Sequence, residues 1–267
     1  MNSILVKYNV EMDISGIQYV LIFIFVGFAG FVDSIAGGGG LITIPTYIAL
    51  GLPSELILGT NKLVSTCGGS VAVFRYIRSG VIEFRIIMFG VIFGLVGASI
   101  GANLATHLDS KNMTYILIVI VPIIFILNHY RNRILDTDEV FIGTTALIVR
   151  CSLIGLIIGG YDGFFGPGTG TFLIVAMVLF MNMKMHKASA SARLINFTSN
   201  ISAFIVFFTK GLIAWEVASI AIIASITGNF IGSSFVVREN TKVIKSVFNF
   251  VLIGLLCKSV FDIIASK

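Results

Sequence analysis
Charged residues are scarce in this chain. Asp, Glu, Lys and Arg make up 12% of its 267 residues, against about a quarter in an ordinary soluble domain. Hydrophobic residues account for 57% and mean hydropathy is +1.01, with no polar stretch long enough for a soluble domain. These values exclude a soluble globule and indicate an integral membrane protein. Cysteine is scarce too. Cys67, Cys151 and Cys257 form no CxxC pair and lie in apolar stretches, so they read as small buried hydrophobes and not as redox or metal groups. His107, His129 and His186 fall at segment ends without metal-ligand spacing. HExxH and a Gly-Lys-Ser/Thr after a glycine run are absent, and the apolar segments offer no nucleophile–base pair, so neither an intramembrane hydrolase nor an ATP-driven pump finds support. The chain is expected not to be an enzyme and to need no cofactor. Net charge is +5 with a pI of about 9.2, yet the basic residues sit in short loops between apolar runs. That placement fits the positive-inside bias of membrane proteins and not a nucleic-acid partner.

What is present is apolar sequence, in ten segments at about 15–36, 41–50, 57–77, 86–106, 113–129, 140–165, 170–182, 188–209, 213–236 and 243–264. The first is too long for a signal-peptide core and is expected to be the first membrane segment. Segments 41–50 and 170–182 are short against the ~20 residues that span a bilayer. Each directly follows a glycine-rich break and reads as the second limb of a broken or re-entrant hairpin. The first break runs Gly30-Phe-Val-Asp33-Ser-Ile-Ala-Gly37-Gly-Gly-Gly40, and the second Gly159-Gly-Tyr-Asp162-Gly-Phe-Phe-Gly166-Pro-Gly168-Thr-Gly170. Gly and Pro are the poorest helix formers. In a bilayer, free backbone groups and carboxylates persist only where they line a protein cavity.

The two breaks are copies of one another. Gly30, Asp33, Gly37 and Gly39 meet Gly159, Asp162, Gly166 and Gly168 at an offset of 129 (162 − 33). After a two-residue insertion the offset is 131, where Lys62-Leu63 meets Arg193-Leu194, Gly80 meets Gly211, and Gly97 and Gly101 meet Gly228 and Gly232. Residues 1–135 and 136–267 are therefore expected to be two repeats of about five membrane segments each. Loop charge indicates their orientation. Arg75, Arg78 and Arg85 surround a loop whose counterpart has only Lys210. The loop around His107 to Lys111 has one firm cation, where its counterpart has Arg238, Lys242 and Lys245. The loop at Gly51 to Glu55 has none, where its counterpart has Lys184 and Lys187. The bias reverses each time, as inverted repeats require. The expected fold is an all-α integral membrane protein: a polytopic helical bundle of two inverted-topology repeats, each with a glycine-rich broken or re-entrant helical hairpin. Placing the basic loops in the cytoplasm puts both termini outside. The rival count, eight helices with each broken pair fused into one, scatters the basic loops over both faces.

Few polar groups lie inside the apolar segments. A carboxylate near mid-membrane is costly unless protonated, paired or hydrated. Asp33 and Asp162 therefore admit two readings: caps for the half-helices that follow the breaks, or groups that couple transport to an ion gradient. Lys62 and Arg193 occupy equivalent places near the starts of two helices. Converging across a pseudo-two-fold axis, they would form an anion site with Thr60, Asn61, Asn196 and Asn200. The backbone of the breaks at Gly38, Gly39, Gly168 and Thr169 would complete it. Snorkelling to the headgroups is the alternative for each cation, and is the expectation for Arg150, whose counterpart is Leu21. Gly97-x-x-x-Gly101 and Gly228-x-x-x-Gly232 read as helix-packing seams.

The run from Gly30 through Asp33 to Gly40-Leu-Ile, followed by Pro45, Gly51-Leu-Pro53 and Gly59-Thr-Asn-Lys62-Leu, closely resembles the sulfite exporter TauE/SafE family. The second half resembles the family's degenerate second copy through Asp162, Gly166, Gly168, Arg193, Asn196, Asn200 and Gly211, and departs from it at Pro167, where more glycine is usual. The resemblance covers nearly the whole chain from about residue 15. It implies a bacterial inner-membrane permease for small sulfur-containing or organic anions, such as sulfite or sulfonates, that works as an ion-gradient-coupled carrier. The partners so implied are a small anionic substrate, membrane lipid, and a proton or sodium as coupling ion. Substrate, direction and oligomeric state stay open. A passive anion channel and a membrane assembly factor without transport activity are the alternatives.

Overall fold
The computed structural model describes residues 15–107, 143–240, 242–251 and 253. Among them the regular structure is helical throughout: α1 (Gly16–Ala36), α2 (Gly40–Ala49), α3 (Ser54–Arg78), α4 (Phe84–Ala105), α5 (Thr144–Phe164), α6 (Thr169–Met181), α7 (Met185–Thr209) and α8 (Trp215–Val237), with residues 242–251 helical after them. Eight of the ten apolar segments coincide with α1–α8. Segment 113–129, the repeat boundary at 135/136, His129 and Cys257 lie outside the described residues.

Five helices, α1, α4, α5, α7 and α8, are long and apolar enough to cross a membrane. Their outward faces carry exposed side chains such as Ile17, Ile24 and Phe28 on α1 and Ile223 and Phe230 on α8, the apolar surface that a lipid contact requires. α3 is as long as α7, 25 residues or about 37 Å. Both pass through the interior: Gly59 to Val64 of α3 and Ala188 to Asn196 of α7 are buried at every position. A helix surrounded by protein can carry polar residues there, which is why α3 is less apolar than its neighbours.

α1 opens with a capping box. Ser15 Oγ accepts from the Gln18 amide at 3.4 Å and Gln18 Oε1 accepts from the Ser15 amide at 2.8 Å, satisfying two otherwise free donors. It ends at Gly37, whose φ of +72° allows its amide to donate to the Asp33 carbonyl at 3.0 Å. The second break turns through Gly166 at φ +96° and Gly168 at +81°, on either side of Pro167. Only residues without a Cβ take such angles readily, so the helices stop where the sequence supplies them.

The two breaks meet backbone to backbone. A Cβ on Gly37 would lie 2.2 Å from Gly170 Cα, and one on Gly170 would lie 2.3 Å from Gly37 Cα. Packing between the halves is reciprocal as well: α4 runs along α5 and α8 along α1, while α8 also packs on α3 and α4 on α7. The expected seams are present. A Cβ at Gly97 or Gly101 would come within 2.2 or 2.0 Å of the Leu156 or Gly160 carbonyl oxygen, and at Gly228 within 1.9 Å of that of Gly27. Helix starts repeat too: α3 and α7 begin 131 residues apart (185 − 54), as do α4 and α8 (215 − 84).

Candidate functional site
Each half brings one cation and one carboxylate to the region where the breaks meet, and each cation is paired with the other half's carboxylate. Lys62 Nζ of α3 donates to Asp162 Oδ1 of α5 at 2.8 Å, the two side chains 1% and 2% exposed. Arg193 Nη1 of α7 donates to Asp33 Oδ2 of α1. The buried stretches of α3 and α7 carry the cations inward, and the last turns of α1 and α5 carry the carboxylates to meet them. Buried charges persist when paired and hydrogen-bonded; Lys62, Asp162 and Arg193, each 2% exposed or less, and the partly buried Asp33 are all paired.

The other anticipated residues surround these pairs. Asn196 Oδ1 accepts from Arg193 Nη1 at 3.1 Å, and Asn200 Nδ2 donates to the Asn196 carbonyl at 2.8 Å and to its Oδ1 at 3.2 Å. Asn61 Oδ1 accepts from the Thr43 hydroxyl at 2.6 Å. Thr60 Oγ1 faces away from the pairs, accepting the Ala214 amide at 2.9 Å before the first turn of α8. Gly39 donates its amide to Asp33 Oδ1 at 3.3 Å, so Asp33 caps the limb after its break and also pairs with a cation. Thr169 turns its amide and hydroxyl onto the Gly166 carbonyl at 3.1 and 2.6 Å. Gly168 precedes α6, and Gly38 lies under Val251, whose Cγ1 is 2.4 Å from where a Cβ would sit.

Arg150 lies apart from this region: it is exposed and its Nη1 donates to the Phe180 carbonyl, near the end of α6, at 2.7 Å. Cys151 is buried and Cys67 half-buried, both as free thiols. No cluster of three or more His, Cys, Asp or Glu suited to a metal occurs among the described residues.

Two contributors were not singled out from sequence. Asn229 of α8 accepts from Arg193 Nη2 at 3.0 Å, and Ser199 of α7 donates to Asp162 Oδ2 at 2.5 Å. Comparison of the halves passes over both, because their counterparts are Ala98 and Gly68. The readable signal for Asn229 was an amide side chain inside the apolar run of α8, a placement that favours an interior role.

With this geometry in view, comparison with known proteins is consistent across the chain. Residues 22–259 match the family described as sulfite exporter TauE/SafE. A "Probable membrane transporter protein" of Haemophilus influenzae is 34% identical over 255 residues, covering 94% of this chain and 98% of that protein. The "Probable membrane transporter protein YfcA" of Escherichia coli is 31% identical over 259 residues, covering 96% and 94%. No solved structure matches. A multi-pass helical bundle, with buried charges exchanged between its halves and a family match over nearly its whole length, belongs to the TauE/SafE sulfite exporter family of membrane transporters.

Proposed function
We propose that this protein is a secondary transporter that moves a small anion, such as sulfite, a sulfonate or another organosulfur anion, across the bacterial inner membrane and is coupled to an ion gradient. The observation that carries this reading is the pair of buried ion pairs beside two touching helix breaks. Ionisable groups at membrane depth face the protein interior and mark substrate or ion pathways, and broken helices mark the binding region of carriers with inverted repeats. Lys62 and Arg193 supply the positive charge for the anion, with Asn61, Asn196 and Asn200 beside them and the break backbone at Gly38, Gly39, Gly168 and Thr169 shaping the wall; Thr60 acts from behind it, holding the start of α8. Asp33 and Asp162 balance that charge between transport events and carry the coupling ion, a proton or sodium.

The reciprocal packing of α4 on α5 and α8 on α1 supports two repeats, residues 1–135 and 136–267, of inverted topology. The Arg150 contact with Phe180 ties the second turn of α5 to the end of α6, which supports a hairpin that returns to the side it came from. Lys187 pairs with Glu83 at 2.5 Å and His186 with Glu239 at 3.6 Å, gathering the basic loops at one end. Lys210 Nζ meets Thr106 Oγ1 at 2.7 Å at the other. With the basic end cytoplasmic, both termini face outward.

The direct test is sulfite flux into proteoliposomes. Lys62→Gln and Arg193→Gln are each expected to lower it about tenfold or more, the effect of losing ~1.4 kcal/mol of binding. Unchanged flux and affinity would remove both from the site. Counterflow of labelled sulfite, shown by a carrier and not by a passive pore, tests the carrier mechanism. Flux indifferent to both pH and sodium gradients would remove the coupling role of the aspartates.

A further inference from the structure
The two ion pairs occupy equivalent places but have different surroundings, and the difference traces to a few residues. α3 has Gly68 and Gly69 where α7 has Ser199 and Asn200 (199 − 68 = 131). A Cβ on Gly69 would lie 2.7 Å from Arg193 Nη2, and one on Gly68 would lie 2.7 Å from Asn229 Nδ2. The missing side chains thus make room for the guanidinium and for the asparagine that holds it. On the other side Ser199 occupies that room and holds Asp162 Oδ2 at 2.5 Å, while Lys62 holds Oδ1 at 2.8 Å. Both oxygens of Asp162 are therefore engaged by side-chain donors, and the group is sealed.

Asp33 is held more loosely. Its side chain is 12% exposed, against 2% for Asp162. Arg193 reaches it through Nη1, and among the described residues its other oxygen has the Gly39 amide at a long 3.3 Å as its hydrogen-bond partner. Arg193 is itself 2% exposed, and its buried Nε has no hydrogen-bond partner among the described residues. A guanidinium presents five donors in a fixed fork suited to oxyanions, and this one offers more than Asp33 takes up.

We infer that the two pairs are not two copies of one device. Arg193–Asp33 is the exchangeable pair, in which an incoming oxyanion replaces the Asp33 carboxylate and engages Nε as well. Lys62–Asp162, closed by Ser199, stays paired and fastens α3 of one half to α5 of the other. This rests on the anion-transport reading above and narrows it: Arg193 meets the anion directly and Asp33 exchanges with it, while Lys62 and Asp162, given shared roles there, hold the site together.

The test is titration calorimetry of the purified full-length chain in detergent, with sulfite and methanesulfonate as probes. Asp33→Asn removes the competing carboxylate and is expected to bind sulfite about tenfold or more tighter than the wild type, since a buried cation left unpaired gains most from an anion. Asp162→Asn is expected to show no such gain. Equal gains in the two variants, or none in Asp33→Asn, overturn the inference, and wild-type binding then leaves the anion reading standing. Absence of binding by the wild type and by every variant removes the anion reading and this inference with it. Should Asp33→Asn not purify as a folded protein, Asn229→Asp sets a second carboxylate against Nη2. It is expected to weaken sulfite binding about tenfold; unchanged affinity in that variant overturns the assignment.

Discussion

Lys62 and Asp162 are 100 residues apart in the chain and 2.8 Å apart, Nζ to Oδ1, in the fold. Arg193 and Asp33, 160 residues apart, repeat the exchange in the opposite direction. Neither half pairs its own two charges, so each depends on the other for its counter-ions. The halves are joined by electrostatics in the interior of the bundle, where an unpaired charge is costly.

The first prediction concerns stability. Lys62→Met leaves Asp162 buried without its cation and should destabilise the protein by about 3–5 kcal/mol. Adding Asp162→Leu should restore much of that loss, because the second change removes the stranded charge. A double-mutant cycle on thermal unfolding in detergent reads the coupling. Additive single effects would mean that the contact contributes little.

The cations of the two halves should not be interchangeable. Arg193→Lys retains the charge but gives up the fork that reaches Asp33, Asn196 and Asn229. Lys62→Arg places a larger head where Nζ already lies 2.8 Å from the position of a Cβ on Gly166. Each is expected to lower the initial rate of sulfite uptake about tenfold, the equivalent of ~1.4 kcal/mol. Wild-type rates in both would show that charge alone is required.

Backbone contact between the breaks and along the seams should be intolerant of any side chain. Gly170→Ala drives a methyl to 2.3 Å from Gly37 Cα, and Gly228→Ala drives one to 1.9 Å from the Gly27 carbonyl oxygen. Each should cost about 1–3 kcal/mol by overpacking. Gly16→Ala, with nothing within 4 Å, is the control and should leave the melting temperature unchanged. Fluorescence-detected gel filtration after heating separates the three.

Topology can be checked with cysteines in a variant whose Cys67, Cys151 and Cys257 are replaced by alanine. A membrane-impermeant maleimide added to intact cells should label His107→Cys and Glu216→Cys. Ser79→Cys and Lys184→Cys should react only after the membrane is permeabilised. Labelling of all four from outside would reject the inverted arrangement.

Helix limits were legible in the sequence to within four residues, since α1 to α8 match the apolar segments and stop at Gly37, at Gly166 and in short polar loops. The glycine seams were legible for the same reason: a residue's lack of a Cβ is visible without knowing its partner. The roles of individual polar groups were harder to read. Thr60 lies beside Asn61 and Lys62 in sequence, yet its hydroxyl serves the start of α8. Successive helix positions point about 100° apart, and which direction faces the site depends on what packs there. Asn229 went unread because Ala98, its counterpart, has no polar group to align with it.

Composition and glycine placement, read from sequence alone, determined that this protein lies in a membrane, where its helices begin and end, and that its two halves share a pattern. Hydrophobicity and backbone propensity act over a few residues, so a linear reading captures them. Only the tertiary structure decided that Lys62 meets Asp162 and Arg193 meets Asp33 across the halves, and that Ser199 closes one pair while Asn229 holds the cation of the other. Those contacts join residues 36 to 160 positions apart. They exist because glycine contacts let α1, α3, α5, α7 and α8 approach closely enough for the side chains to reach one another.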